Sequence, residues 1–296
     1  SRLVPCTALV RSLFPGIQDV PLHIRGSYRR LGEVIPRRMP EFLAGTDQPP
    51  ITKGSGRWEL SQWIVSEDNP LTARVIVNRI WQHHFGKGLV GTTNNFGQLG
   101  ERPTHPQLLD WLASWLVDHD WSLKKLHRLM MLSLTYQQSS LQDEDIIRRD
   151  PDNRLLVRMS PQRLEAEPIR DSMLAVAGRL DLTQGGPATA EIDLPRRSLY
   201  IQTRRFTRNA YAMLFDCANP EQSVARREVS TTAPQALFLL NGDFVQQQSQ
   251  AVAARLEQES PAYGPERIQR PYQPPFGRPP SDALTRRPCC RDSVST

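Results

Sequence analysis

The chain has 296 residues, 39% of them hydrophobic and 23% charged, a composition that supports a folded core and excludes disorder throughout. Its formal net charge is +6, but the excess lies at the two ends, because residues 61–260 carry 22 basic and 23 acidic side chains. Nucleic-acid binding normally needs a concentrated basic face, so this composition disfavours it, and no apolar run is long enough to predict a transmembrane segment.

The four cysteines exclude two common cofactor motifs. None of them forms C-x-x-C or C-x-x-C-H, the patterns of zinc ribbons and of covalent haem attachment, and we predict no cofactor and no metal site in this chain. Residues 1–20 lack the charged and then apolar layout of a signal peptide, and the first residue is Ser1. We therefore expect a fragment or a processed chain.

Proline and glycine interrupt residues 1–56, which predicts an irregular N-terminal segment. A short helix is predicted from Trp58 and ends before Asn69. Asn69 and Pro70 then have the pattern of an N-cap and the first turn of a second helix. Its apolar residues recur every three to five positions, and Gly86 lies where a left-handed C-cap belongs. A loop rich in glycine and asparagine follows.

Two further helices are predicted in the next fifty residues. Thr104 and Gln107 have the spacing of a capping box at the start of the third helix. Ser122 is predicted to cap the fourth helix. A polar, acidic link covers residues 139–153.

The following segment is predicted to contain a helix and then a strand. Ser160 and Pro161 have the pattern of an N-cap followed by the first helical residue, and Pro168 would kink the helix that they begin. Apolar residues alternate within 196–206, which predicts a strand.

Two more helices are predicted before a tail. Thr231 or Thr232 would cap the first and Asp243 the second. Residues 260–296 are rich in proline and arginine and are predicted to be disordered. The predicted fold class is therefore mainly α, an irregular multi-helix domain over residues 57–259 with one or two short strands and long loops.

Three stretches of the chain carry a resemblance to a known family. They are EDNPLTARVIVNRIWQHHFGKGLVGTTNNFG at 67–97, PTHPQLLDWLASWLVDHDWSLKKLHRLMMLSLTYQQSS at 103–140, and RRSLYIQTRR together with TTAPQALFLLN within 196–241. Over about residues 22–284 the chain resembles the Planctomycete cytochrome-c-associated domain of unknown function, the PSD family.

The resemblance implies a context rather than a reaction. Such domains occur at the C-terminal end of long proteins that begin with a cytochrome-c-like domain, which implies an extracytoplasmic location and a cytochrome-c-type domain or a partner protein as the contact. Haem would belong to that separate domain. The chain departs from the family pattern before residue 22, between Leu182 and Arg196, and after residue 284, so we expect it to be truncated.

The adjacent histidines His83 and His84 are the first candidate site. Consecutive helical residues point about 100° apart, so the two cannot easily bind one metal from the same face. We predict that one packs under Trp81 or Phe85 and that the other faces solvent. A metal or acid–base role for His84 remains the alternative.

Arg74 and Asn78 are four residues apart and share a face of an otherwise apolar helix. They are predicted either to anchor the glycine-rich loop through hydrogen bonds to its carbonyl groups or to line a ligand cleft. Anchoring is favoured, because a loop without regular pairing needs partners for its backbone groups.

The carboxylates Glu165, Glu167 and Asp171 lie within one predicted helix. Glu167 and Asp171 are four residues apart, and paired carboxylates can hydrolyse a glycosidic bond or hold a divalent cation. Arginines interleave with them, so salt bridging is the favoured interpretation.

The densest positive cluster is formed by arginines between residues 196 and 208, with aromatic residues interleaved. It could bind a sulfated glycan, a phosphate or an acidic partner. Its members are Arg196, Arg197, Arg204, Arg205 and Arg208, with Tyr200 and Phe206.

From these features we expect an accessory or binding module that contacts a protein or an anionic polysaccharide. The alternative is a hydrolase or metal-assisted enzyme that acts on polysaccharide through carboxylates and a histidine.

Overall fold

Helices dominate the protein, and paired strands are confined to one hairpin. The computed structural model describes residues 17, 19–140, 144–205, 209–259, 272 and 276–280. These residues contain ten α-helices and one antiparallel two-stranded sheet, which confirms the predicted mainly α fold.

The chain divides into two compact units, Ser1–Pro161 and Gln162–Thr296. This division lies inside the helical domain predicted over 57–259, whose outer bounds stay a prediction. The predicted disorder of residues 260–296 lies outside the described residues, apart from 272 and 276–280. Within the described ranges, no helix is both long enough and apolar enough to cross a membrane.

The first unit begins with a hairpin that sequence analysis did not predict. Val20 pairs with Ile35 and Pro21 with Val34, and an irregularity follows before His23 pairs with Leu31. The unit contains β1 (Val20–His23), β2 (Leu31–Ile35), α1 (Glu41–Ala44), α2 (Arg57–Ile64), α3 (Thr72–Phe85), α4 (Pro106–Asp118), α5 (Leu123–Met131) and α6 (Glu144–Arg149).

Gly86 and Ser122 cap α3 and α5 as predicted, whereas Asn69 lies two residues before Leu71, the N-cap of α3, and Pro70 precedes the helix. Asn69 Oδ1 accepts hydrogen bonds from the backbone N–H groups of Leu71 (2.9 Å) and Thr72 (3.3 Å). Gly86 adopts φ +81° and donates its N–H to the carbonyl of Gln82, as a left-handed C-cap does. The Ser122 side chain accepts the N–H of Lys125.

The predicted capping box at Thr104 is wrong. Helix α4 begins at Pro106, and its N-cap His105 makes no side-chain capping bond. Thr104 instead contacts the glycine-rich loop, donating its N–H (2.9 Å) and its hydroxyl (3.3 Å) to the carbonyl of Leu89.

The core of the first unit is formed where α3, α4 and α5 meet. Trp81 and Phe85 stack with their ring centroids 4.0 Å apart. Leu89 and Val90 bring the loop after α3 into the same cluster. The buried hydrophobic residues are Val77, Trp81, Phe85, Leu89, Val90, Leu109, Leu112, Leu116, Leu126 and Met130.

The second unit has a smaller aromatic core around Ala166, Tyr211 and Phe215. Its helices are α7 (Ala166–Val176), α8 (Ala210–Leu214), α9 (Ala233–Asn241) and α10 (Asp243–Glu259). Thr232 is the N-cap of α9 and forms a capping box with Gln235. The sequence predicted either Thr231 or Thr232 as this cap.

Two local predictions in the second unit are wrong. Helix α7 begins at Ala166 rather than at Pro161, so Pro168 lies in its first turn, where the backbone N–H has no intrahelical partner and no kink results. Over the described part of the strand predicted at 196–206 the structure has a 3₁₀ turn at Ser198–Tyr200, and Arg196 and Ile201 form only isolated bridges, with Asp181 and Thr189.

Candidate functional site

The second unit contains a pocket of about 270 Å³ whose lining includes the buried Arg170. Residues of α7, the segment around the 3₁₀ turn, and α8 with its flanking residues form its walls. The side chains that matter for its chemistry are Glu167, Arg170, Arg204, Tyr211, Cys217 and Arg227.

Arg170 forms the buried base of the pocket, with 1% of its surface exposed. Its guanidinium donates to the carbonyl groups of Ile192 (2.8 and 2.6 Å), Leu194 (2.5 Å) and Arg196 (2.9 Å). Burial lowers the pKa of Arg170, and the neighbouring Asp171 opposes that shift. The side chain remains a cation, and it supplies hydrogen-bond donors to three carbonyl groups of the loop 192–196.

Asp171 belongs to the same hydrogen-bond network. Its Oδ1 atom accepts hydrogen bonds from the backbone N–H of Ser198 (2.8 Å), the Ser198 hydroxyl (2.6 Å) and Arg170 (3.2 Å). A carboxylate that holds a loop through three donors has a structural role, which is the salt-bridging interpretation favoured from the sequence.

Glu167 lies on the pocket wall and forms a two-pronged ion pair with Arg227. The Oε2–Nη1 distance is 2.5 Å and the Oε1–Nη2 distance is 3.1 Å. Burial alone would raise the pKa of Glu167, but the hydrogen bond and charge of Arg227 outweigh it, and the net shift is downward. The hydrogen bond to Glu167 in turn raises the pKa of Arg227. Glu167 is therefore an ionised partner rather than a proton donor.

The predicted arginine cluster separates into residues with different surroundings. Arg204 lines the pocket, is exposed, and donates Nε to Gln202 Oε1 (3.0 Å). Arg205 is exposed outside the lining. Arg196 donates to the carbonyl of Pro187 (2.9 Å) and lies over the Tyr200 ring, 4.2 Å from its centroid. Arg208, like Phe206, lies outside the described residues.

Tyr211 and Cys217 form the less polar part of the lining. The Tyr211 hydroxyl donates to the carbonyl of Ala166 (2.8 Å), and burial raises the pKa of that phenol. Burial also raises the pKa of the Cys217 thiol to about 11. Cys217 is therefore a neutral thiol near pH 7, without the depressed pKa of a nucleophilic cysteine.

In the first unit, Asn78 holds the glycine-rich loop. Its side chain, fully buried, donates Nδ2 to the Val90 carbonyl (3.0 Å) and accepts the Val90 N–H at Oδ1 (2.8 Å). Arg74 does not take part, because it pairs with Asp110 (2.7 Å) and with the carbonyl of Pro70. A ligand-binding role for Arg74 or Asn78 stays a prediction.

His84 and His83 have different surroundings. His84 Nε2 lies 2.7 Å from Nδ1 of His127 on α5, whereas His83 is exposed. Burial, followed by the charges of His127 and His83, lowers the pKa of His84. The partner was missed from the sequence, because it lies 43 positions away on another helix.

Histidine and the candidate carboxylates are divided between the two units. All six histidines precede residue 128, whereas Glu167 and Asp171 belong to the second unit. Across the described residues, no group of three or more His, Cys, Asp and Glu side chains has the arrangement of a metal site.

Two residues of the pocket were not recognised from the sequence as contributors. The sequence predicts Arg170 only as a salt-bridge partner of its helical neighbours. No pattern near Arg227 predicts its contact with Glu167, because the two residues are 60 positions apart. Only the tertiary fold brings these groups together.

Comparison with known proteins shows the family of the chain and no activity. The family model of PSD1, described as a protein of unknown function (DUF1553), matches residues 56–287. No curated protein and no solved structure matches the sequence significantly.

Proposed function

Because the chain belongs to the PSD1 family of proteins of unknown function, we propose a function from its pocket: the protein is an accessory binding module that takes an acidic group of an anionic glycan. The observation that supports this most is the charge of the pocket. Three arginines and one glutamate line it.

The contacts of these four residues single out Arg204 as the side chain that an anionic ligand can pair with. Arg227 pairs with Glu167 and also with Glu165 (3.3 Å), and Arg170 pairs with its neighbour Asp171. Within the ranges that the structure describes, Arg204 has an amide partner and no carboxylate partner. An entering carboxylate or sulfate can therefore pair with Arg204, because an arginine guanidinium matches either group through two parallel hydrogen bonds.

The size and polarity of the pocket suit a single sugar unit. Its volume of about 270 Å³ is just below the roughly 300–1,000 Å³ of pockets that enclose drug-sized ligands. Gln202, Thr203 and Asn209 supply neutral polar groups to the lining. Asn209 Oδ1 accepts the N–H of Tyr211 (2.8 Å), which fixes an amide whose nitrogen can donate to a sugar hydroxyl.

The hydrolytic alternative has less support from the same residues. An acid catalyst needs a raised pKa, whereas that of Glu167 is lowered by its ion pair with Arg227. Asp171 is held by three donors. Glu167 does line the pocket, so a glycosidase assay of the Glu167→Gln variant tests this alternative, and loss of a measurable wild-type activity would favour it over binding alone.

The wider context of the module is a proposal that rests on the family resemblance. We propose an extracytoplasmic location beside a cytochrome-c-type domain. The cysteines of this chain do not form the C-x-x-C-H motif, so its own residues do not fit covalent haem. Fractionation of cells that express the native gene tests the location, and covalent haem in the same polypeptide tests the association.

The binding proposal is tested by calorimetric titration of the full chain with a uronic-acid disaccharide, a sulfated disaccharide and their neutral counterpart. We expect an acidic disaccharide to bind and the neutral one not to. Arg204→Gln should weaken binding roughly 10- to 100-fold, since a hydrogen bond to a charged group contributes about 1.5–3 kcal/mol.

Arg197→Gln is the matched control, because Arg197 is also exposed but does not line the pocket. Its effect on affinity should stay within twofold. The Arg204→Ala/Arg205→Ala double variant should also elute earlier from a sulfated-polysaccharide column. If the Arg197 and Arg204 variants lost the same affinity, the acidic sugar would be attracted by the surface in general rather than bound in the pocket. If acidic peptides bound and the disaccharides did not, the ligand would be a protein partner.

A further inference from the structure

The pocket of the second unit has an uncharged wall that its arginines do not explain. Six lining residues lie on α8 or within six positions after it, and none of the six is charged. Met213 is the most accessible of them, with 59% of its surface exposed. The six are Tyr211, Ala212, Met213, Cys217, Ala218 and Pro220.

The two members of this wall that carry a hydroxyl or a thiol add little polarity to it. The Tyr211 hydroxyl donates its proton to the carbonyl of Ala166 (2.8 Å), and the Cys217 thiol, with a pKa raised to about 11, is neutral near pH 7. A sugar hydroxyl against apolar side chains loses hydration without gaining a hydrogen bond. A methyl group gains from the same contact, by about fourfold in affinity for each methyl group buried.

Glu167 adds a hydrogen-bond acceptor to the same pocket. Its ion pair with Arg227 uses one position on each oxygen, at 2.5 and 3.1 Å, and its own backbone N–H uses another. An ionised carboxylate has about four acceptor positions and no proton to donate. One position is therefore left for an N–H or O–H group of a ligand.

We infer that the sugar that enters this pocket carries an N-acetyl group, so that the ligand is an acidic glycan built with an N-acetylated amino sugar. The inference rests on the proposed function, because the acidic group of the ligand still pairs with Arg204. An acetamido group offers both remaining contacts in one substituent, since its N–H can donate to Glu167 and its methyl group can cover the wall at Met213. A free amine fits less well, because an ammonium group beside apolar side chains loses its hydration.

The test is calorimetric titration of the full chain with three disaccharides, in which the same uronic acid is linked to N-acetylglucosamine, to glucosamine or to glucose. We expect the first to bind at least about fourfold more tightly than either of the others, the gain from one buried methyl group. Equal binding of all three, or tighter binding of the amine or of the glucose compound, would overturn this inference and leave the proposed function standing. If none of the three bound, both would fail.

A substitution in the wall tests the role of the methyl contact. Met213→Gln should reduce the preference for the N-acetylated disaccharide to less than twofold. Leu199→Gln is the matched control, because Leu199 is 73% exposed in the same unit and does not line the pocket. It should keep the full preference, and an equal loss in both variants would contradict the inference.

A measurement on the unaltered protein covers the case in which the Met213 variant fails to fold. In saturation-transfer NMR of the full chain with the N-acetylated disaccharide, the acetyl methyl protons should receive the strongest saturation from the protein. Stronger saturation of the ring protons would place the methyl group in solvent and overturn the inference.

Discussion

Replacing Asn78 with alanine should destabilise the first unit by about 3 kcal/mol, because the change leaves a buried backbone donor and a buried acceptor without partners. In the native protein the Asn78 amide satisfies both the N–H and the carbonyl of Val90, at 2.8 and 3.0 Å. Asn78 has no exposed surface, and Val90 is 2% exposed. Water therefore cannot replace the amide without opening the core.

The magnitude follows from the number of groups left unsatisfied. Each buried donor or acceptor without a partner costs about 1–3 kcal/mol, so the two Val90 groups together set a range of roughly 2–6 kcal/mol. The side chain of Arg79 makes a comparable contact between the same helix and loop, to Asn94 Oδ1 at 2.8 Å, but it is exposed. Arg79→Ala should therefore change stability by only about 0.5 kcal/mol.

Urea unfolding followed by tryptophan fluorescence isolates this effect, because all six tryptophans lie between residues 58 and 121, within the first unit. With a urea dependence of about 2 kcal/mol per M, a loss of 3 kcal/mol lowers the midpoint by about 1.5 M. A loss below about 1 kcal/mol for Asn78→Ala, or an equal loss for Arg79→Ala, would refute the view that Asn78 supports the loop.

Four other substitutions or modifications test the same structure. Gly88→Ala should destabilise the first unit as Asn78→Ala does, since a Cβ atom at this position would lie 2.6 Å from the Val90 carbonyl oxygen and 2.8 Å from Asn78 Nδ2, and urea unfolding by tryptophan fluorescence measures it. Arg170→Met should cost the second unit about 3–5 kcal/mol by far-UV circular dichroism, because it strands a partly buried carboxylate and several carbonyls. Glu167, whose pKa is lowered from 4.5 in the folded protein, contributes stability that is present above pH 4.5 and lost as the pH falls below it; Glu167→Gln should show less acid dependence of the unfolding midpoint. Cys217 should react with iodoacetamide at pH 8 about 100-fold more slowly than an ordinary thiol, since its pKa is raised from 9.0 to about 11 and only the thiolate reacts; mass spectrometry of the Cys217 peptide measures this.

Local patterns predicted the helix boundaries best where the capping residue acts on its own helix. Gly86 ends α3 and Thr232 caps α9, because each satisfies backbone groups only a few residues away. Such contacts depend on spacing alone, so they can be predicted from the sequence. Thr104 had equally good spacing, but it bonds Leu89 across 15 positions.

The candidate sites were harder to predict because their partners are distant in sequence. Arg227 meets Glu167 across 60 positions and His127 meets His84 across 43. The sequence showed that Glu167 was flanked by arginines, but not which one would neutralise it. It also drew attention to His83, the neighbour in sequence, rather than to His127, the neighbour in space.

The N-terminal hairpin was missed for a different physical reason. A half-buried strand alternates apolar and polar residues, but both strands here are largely exposed, and Val20, Leu22, Leu31 and Val34 all have more than half of their surface accessible. Because both strands are largely exposed, burial does not require apolar and polar residues to alternate along them. Pro21 also lies within β1, where it suggests a turn instead.

Hydrogen bonding separates the polar residues that build this fold from those that can act on a ligand. Asn78 in the first unit and Arg170 in the second do the same task, since each is buried and each satisfies the backbone of a loop without regular pairing. Their chemistry resembles that of a binding site, but their hydrogen-bonding groups are already bound to the loop. Arg204 differs, because its exposed charge lies at the pocket and, among the described residues, has an amide partner and no carboxylate partner. Removing that charge should leave the stability of the second unit within about 0.5 kcal/mol of the native value, as is usual for surface substitutions. If Arg204→Gln instead unfolded the unit, the arginine would have to be a structural residue, and the case for an anionic ligand would lose its main support.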